Sequence, residues 1–253
     1  HLILIGDHKQ LRPSVDTYKL RTKYKFDLSM MERLINNKFL YSTLNVQNRM
    51  RPEFSKLLLD IYPGLQDNLA RVSKNLPLTC IAKSMFFWSH SSAETSGRRS
   101  HTNSEEVLRV TQLAMFMLMN EVMPQDITVL AAYQGQVTLI RQEFKRLAEI
   151  YPRFFGDEEI PTKTIDMFQG DENKYLIISL VRSNLDESIG FLAERNRRCV
   201  AQSRAQCGMY FVGNKETLSS RNSPWTGVIR GRAEKGCVAT SLPLQCRKHL
   251  DMS

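Results

Sequence analysis

The stretches of this chain best equipped for chemistry sit at the ends of apolar runs. Gly6-Asp7-His8-Lys9-Gln10-Leu11 follows Leu2 to Ile5, and Gln47-Asn48-Arg49-Met50-Arg51-Pro52 follows Phe39 to Val46. Thr164-Ile165-Asp166-Met167-Phe168-Gln169-Gly170-Asp171-Glu172 leads into a run that ends Val181-Arg182-Ser183-Asn184, and Cys199-Val200-Ala201-Gln202-Ser203-Arg204-Ala205 precedes Met209 to Val212. A guanidinium is always charged and forks onto phosphate or carboxylate oxygens, so arginines in such places can hold oxyanions. Taken singly, each stretch has an ordinary reading: a Gly-Asp turn, a basic helix entry, a structural ion pair. The net charge of +9 over 253 residues fits a polyanionic partner, because each Lys or Arg that neutralises a phosphate releases a counterion; it equally fits a solvated basic surface.

The elements that must position these residues alternate regularly in the second half. Strands are expected at 127–131, 162–166, 175–181 and 209–212, and helices at 104–122, 134–150 and 196–206. Strands alternating with helices of this length imply an α/β layered sheet, whose ligand sites lie beyond the carboxyl ends of its strands. Upstream, residues 1–5 and 39–46 read as strands and 84–88 as a short one. A short helix begins at 27, with Ser29 and Glu32 at capping-box spacing and Leu28, Met31, Leu34 and Ile35 as its apolar face. Pro52 opens a helix through 60, residues 63–83 are loop-like, and the Ser/Thr/His/Arg-rich segment 89–103 reads as an exposed, disordered loop. After about 219 the alternation stops, and the remainder looks like a tail.

Composition narrows the class. With 42% apolar residues the chain can bury a sizeable core. No stretch approaches the roughly 18 consecutive apolar residues of a membrane span, and nothing at the start resembles a secretion signal. Five cysteines scattered at 80, 199, 207, 237 and 246 make no disulfide framework and suit a reducing, intracellular setting, cytoplasmic or nuclear.

Order and spacing change the reading of the four stretches. Together they resemble motifs III, IV, V and VI of superfamily 1 helicases, in the branch that includes the nonsense-mediated-decay helicase and senataxin. The D-x-F-Q-G-x-E pattern of that branch is met at Asp166, Phe168, Gln169, Gly170 and Glu172, and the resemblance extends over roughly residues 1–216. It implies a RecA-like P-loop NTPase fold: 1–16 as the end of a first motor domain, 17–38 as a connecting helix, and 39–218 as the second motor domain, a parallel sheet flanked by helices. No G-x-x-x-x-G-K-[ST] phosphate loop occurs in the chain. The chain is therefore expected to be the middle or a fragment of a larger protein, inactive alone, with ATP and Mg²⁺ held mainly by an upstream domain.

By the same resemblance, Gln10 senses the γ-phosphate, and Arg49 and Arg204 act as arginine fingers on the charge that builds there in phosphoryl transfer. Glu172 resembles the carboxylate that holds the ribose hydroxyls, with Gln47 and Gly170 also on the nucleotide side. Asp166 and Gln169, with Gly170, shape the turn that couples nucleotide state to the nucleic-acid groove, near which Arg182, Ser183 and Asn184 lie.

The chain departs from the family pattern at several places. Asn48 stands where relatives often carry an aromatic able to stack on adenine. Arg198 and Gln202 stand where apolar residues are usual, Gln206 where a basic one is, and Ala131-Ala132-Tyr133-Gln134-Gly135-Gln136 replaces T-P-Y-x-G-Q. Polar changes on one helix are expected to weaken its packing.

Cys199 within Asn196-Arg197-Arg198-Cys199-Val200-Ala201 looks most like the NFX-type zinc-finger helicases. Leu242 to His249 resembles the lead-in to their zinc-binding array; Cys246 and His249 are two ligands of a site that needs four, so no zinc is expected in this chain. The resemblance implies an ATP-dependent RNA helicase acting on single- or double-stranded RNA. Its implied setting is RNA surveillance, heterochromatin, antiviral defence or small-RNA silencing, with silencing or RNA-granule proteins as partners. A catalytically inactive RNA-binding scaffold and a DNA helicase are the alternatives.

Overall fold

The computed structural model describes residues 1–97, 100–220 and 223–245. Its centre is a six-stranded sheet made of β1 (Met85–Ser89), β2 (Ile127–Ala131), β3 (Thr162–Thr164), β4 (Asn173–Ser179), β5 (Ala205–Gly213) and β6 (Val238–Ala239), ordered β6-β1-β5-β4-β2-β3. Every neighbouring pair is parallel, with Val129 opposite Ile177 and Ile177 opposite Tyr210 across the middle.

A parallel sheet covered on both faces needs strands that are apolar throughout, because alternate side chains enter different cores. Val129, Ala131, Ile177, Tyr210 and Val212 enter one core, with Val110, Leu113 and Met117 of α2 (Ser104–Met119) and Val137, Ile140 and Phe144 of α3 (Gln134–Ile150). Leu130, Ile178 and Phe211 enter the other, with Phe54, Leu58, Val200 of α4 (Arg195–Gln202), and Trp225 and Ile229 beside or on α5 (Thr226–Ala233). The expected α/β parallel sheet flanked by helices is thus the fold observed.

Several local expectations are corrected. Residues 1–5 form no strand; Leu2, Ile3 and Ile5 are exposed and no strand among the described residues pairs with them. The 39–46 strand shrinks to Val46–Gln47, paired in parallel with Gln66–Asp67 inside the supposed 63–83 loop. Ser29 does cap the helix Met30–Asn36 (α1) through the Glu32 amide at 3.1 Å, but the Glu32 carboxylate turns to Arg12 instead of completing the capping box. Glu32 is accordingly the buried residue of α1, and its expected apolar face is only half-buried. Ala205 and Gln206, expected in a helix, begin β5.

The 89–103 segment is not a loose loop where it is described. Ser89, His90 and Asn103 are buried, and Thr95–Ser96 pairs antiparallel with His101–Thr102. The supposed tail also folds back: α5 packs Ile229 into the core and β6 adds a parallel edge strand beside β1. Cys246 and His249 lie outside the described residues.

Candidate functional site

The expected residues fall into two groups at opposite edges of the sheet: Glu172 and Arg204 immediately precede β4 and β5, at their amino ends and against the expectation of a site beyond the carboxyl ends, whereas Arg182, Ser183 and Asn184 follow β4 at its carboxyl end. The first surrounds a cleft of about 870 Å³ lined by Asp7, Gln10, Gln47, Arg49, Tyr62 and Glu172 among others. Arg204, the second residue after α4, points its Nη2 at Gln10 Oε1 at 2.5 Å, so segments 194 positions apart meet. Gln10 Nε2 in turn donates to Asp7 Oδ2 at 2.9 Å, and the same carboxylate oxygen accepts from Tyr62 Oη at 2.6 Å.

Arg204 is 3% exposed, forms no ion pair among the described residues, and its Nε has no partner. Burial, and then the charge of Arg49, push its guanidinium down from the ordinary value. A buried cation without a carboxylate is costly unless an anion completes it. Arg49 is the opposite case: its Nε contacts Glu172 Oε2, and its Nη1 donates to the Ser203 carbonyl at 3.0 Å. Burial pushes the Glu172 carboxyl up, but Arg49, helped by Gln206 Nε2 at 2.8 Å, outweighs it and holds the group below the usual range.

Gln47 lines the cleft with its amide fully engaged. Its Nε2 donates to the Met50 carbonyl and to Asp67, and its Oε1 accepts from the amides of Arg49 and Met50. Its role in this arrangement is to shape the turn that presents Arg49. Asn48 accepts from Asn68 Nδ2 at 2.8 Å. Gly170 sits in the left-handed region at φ +96 with open space around it, and Gln169 beside it is exposed.

The second group is organised by Glu94, which the sequence reading passed over. One of its oxygens accepts from Arg182 Nε at 3.0 Å, the Ser183 amide at 2.7 Å and Asn184 Nδ2 at 3.1 Å, and the other faces His101 Nδ1 at 3.1 Å. Burial raises the Glu94 carboxyl, and these donors more than reverse it, so it stays ionised below the ordinary carboxylate range. Val181, just before them, has φ +68, rare for a β-branched residue, and its amide is held by buried Glu106 at 2.9 Å. Glu106 also faces His90 Nε2 at 3.0 Å and accepts from Ser179 Oγ at 2.6 Å.

Asp166 stands apart from both clusters and is forked by Arg197, with two contacts of 2.8 Å. Arg197 lies over the half-exposed ring of Phe191, which stacks on Tyr133 at 5.5 Å between centroids. Phe191 is a further residue the sequence did not single out; the signal was its place just before α4, next to Gly190 at φ +52. Among the described residues no group of three or more His, Cys, Asp or Glu is arranged to hold a metal ion.

The departures from the family pattern have distinct fates. Gln206 is absorbed by Glu172. Arg198 reaches Asp60 and the Pro224 carbonyl, leaving its Nε unpaired. Gln202 is fully buried with both amide atoms unpaired.

A family described as an AAA domain matches residues 26–216. The mouse (Mus musculus) NFX1-type zinc finger-containing protein 1 is 38% identical over 252 residues, which is 98% of this chain and 13% of that protein. The Schizosaccharomyces pombe helicase required for RNAi-mediated heterochromatin assembly 1 is 36% identical over 231 residues, covering 90% of this chain and 22% of that protein. The ATP-dependent helicase NAM7 of Saccharomyces cerevisiae is 29% identical over 246 residues, 94% of this chain and 25% of its own length. The chain thus spans a minor part of each of these relatives.

Proposed function

The chain belongs to the AAA-domain family as a superfamily 1 helicase domain, and from that premise we propose that it is the second motor domain of an ATP-dependent RNA helicase. The observation that carries this reading is Arg204: a nearly buried guanidinium with no carboxylate among the described residues, pointed at Gln10, which lines one cleft together with Arg49. Such a site awaits an anion, and the phosphates of a nucleotide supply one.

The donors present fit a triphosphate. Gln10 and Arg204 are in place, and Arg49 reaches it once Glu172 releases it to hold ribose hydroxyls instead. The nucleotide supplies the bond that is broken; this chain's residues orient it and neutralise charge on its terminal oxygens. The described residues do not fit a resident magnesium ion. The remaining Lys and divalent-metal ligands belong, on this reading, to a preceding domain, and the chain alone does not turn over ATP.

Nucleic acid lies along the other group. Phe191, with Tyr133 stacked on it and Arg197 lying over it, offers the exposed part of its ring to a base, and Arg182, Ser183 and Asn184 hold the adjacent strand-end turn in one conformation. Asp166, Gln169 and Gly170 join the two groups through the turn that begins at β3. RNA is favoured over DNA because relatives carry RNAi or nonsense-transcript functions in their names. Silencing and surveillance complexes are the proposed partners, in cytoplasm or nucleus.

The test is ATP turnover by the full-length protein carrying this chain, with and without single-stranded RNA, alongside Arg204→Ala. RNA-stimulated turnover that falls by about 10³-fold in the variant, as for loss of an arginine finger, supports the motor. RNA binding without turnover in either protein assigns a scaffold, and preference for DNA in competition at fixed salt assigns a DNA helicase.

A further inference from the structure

A second cleft, of about 540 Å³, opens on the far side of the Lys56–Leu58 turn, between it and α5. It is lined by Lys56, Arg198, Arg232 and Lys235, with Asp60 as its carboxylate. That one carboxylate is shared: Arg195 Nη2 lies 3.2 Å from Asp60 Oδ2 and Arg198 contacts the same oxygen. Lys56 and Lys235 form no ion pair among the described residues, so the cleft keeps a surplus of positive charge.

Two further observations point to an occupant. Arg198, 3% exposed, keeps an unpartnered Nε beside the cleft although its other nitrogens are used. Gly227 and Gly231, four residues apart on α5, line the cleft, and a Cβ at either meets nothing within 4 Å. Glycine within a helix is unfavourable relative to alanine, and neither position has a positive φ or an internal neighbour that requires it. What bare backbone does provide is room for another chain to come close.

We propose that this cleft docks an acidic peptide segment of a protein partner, whose carboxylates meet Lys56, Arg232 and Lys235 while its main chain approaches α5 over Gly227 and Gly231. A peptide suits the cleft better than a nucleic-acid backbone does. Leu57 and Val228 give it apolar walls, its cations converge on one recess, and phosphate-tracking surfaces spread theirs along a stripe. This cleft is separate from the one lined by Gln10 and Arg49: Leu58 and Tyr62 line that cleft, Leu57 and Asp60 line this one, and the two share no lining residue.

The test uses fluorescence anisotropy on the full chain at fixed ionic strength. The probes are a labelled peptide of alternating Glu and Leu, its Gln-for-Glu counterpart, and an oligouridylate competitor of equal charge. The Glu peptide is expected to bind about tenfold or more tightly than the Gln peptide. Gly231→Leu should abolish that difference, and Gly231→Ala should weaken binding while leaving the melting temperature unchanged or raised, which separates occlusion from misfolding. Equal binding of the two peptides, or indifference to both Gly231 substitutions, overturns the proposal. Displacement of the peptide by oligouridylate in proportion to charge also overturns it and assigns the cleft to phosphates.

Discussion

Glu94 shows how a single carboxylate fixes a functional turn. Three donors from consecutive residues, Arg182, Ser183 and Asn184, converge on one of its oxygens, so the three cannot move independently. Because its folded-state pKa lies below the ordinary value of 4.5, Glu94 contributes stability that is fully present above that value and is lost as pH falls through the folded-state pKa. Glu94→Gln keeps the shape but removes the charge opposite an Arg182 that is 6% exposed. It is expected to lower unfolding stability at neutral pH by about 3 kcal/mol and to flatten the acid limb of the stability profile below pH 4.5. Urea unfolding followed from pH 3 to pH 7 would read both, and an unchanged acid limb would assign the shift elsewhere.

At the scale of elements, α4 leads into Arg204 and also contains a defect. Its Cys199, Val200 and Ala201 enter the core with no exposure, as a helix between two layers requires. Gln202 follows them into the core with neither amide atom hydrogen-bonded, and an unsatisfied buried polar group costs about 1–3 kcal/mol. Gln202→Leu, close in size and apolar, should therefore raise stability by about 1–2 kcal/mol, measured as a rise in the denaturant midpoint with unchanged slope. A loss of stability on that change would mean that Gln202 has a partner in solution. The resemblance made Gln202 suspect; that Gln206 belongs to a strand and serves Glu172 was not visible in a helical spacing.

For the molecule as a whole, the segment after 219 decides where the body ends. Trp225 has no exposure, donates from Nε1 to the Leu192 carbonyl at 3.0 Å and meets Phe211 edge-on at 5.8 Å. Trp225→Ala should cost about 3–5 kcal/mol, the range for removing a buried aromatic, and should lower the melting temperature of the entire chain in one transition. Separate melting of an unaltered body would restore the reading of that segment as a tail. Trp225 also buttresses the Leu192 turn beside Phe191, so the segment bears on the site as well as on the core.

What the sequence determined by itself is whatever local pattern and motif spelling encode. The strand 127–131 and the helix 134–150 come out at their expected bounds, because a short apolar run and a long amphipathic one each have a single economical conformation. The order of Gln10, Arg49, Asp166 to Glu172 and Arg204 likewise sufficed to identify the family. Tertiary structure decided the pairings: residues 1–5 are β-prone but find no neighbouring strand, and β6 is two residues long and exists only because β1 offers it an edge. It also decided the partners of charge. Glu94 reaches its donors across 88 to 90 positions and Arg204 reaches Gln10 across 194, contacts that no periodicity can announce because burial and hydrogen bonding are settled by folding back, not by spacing.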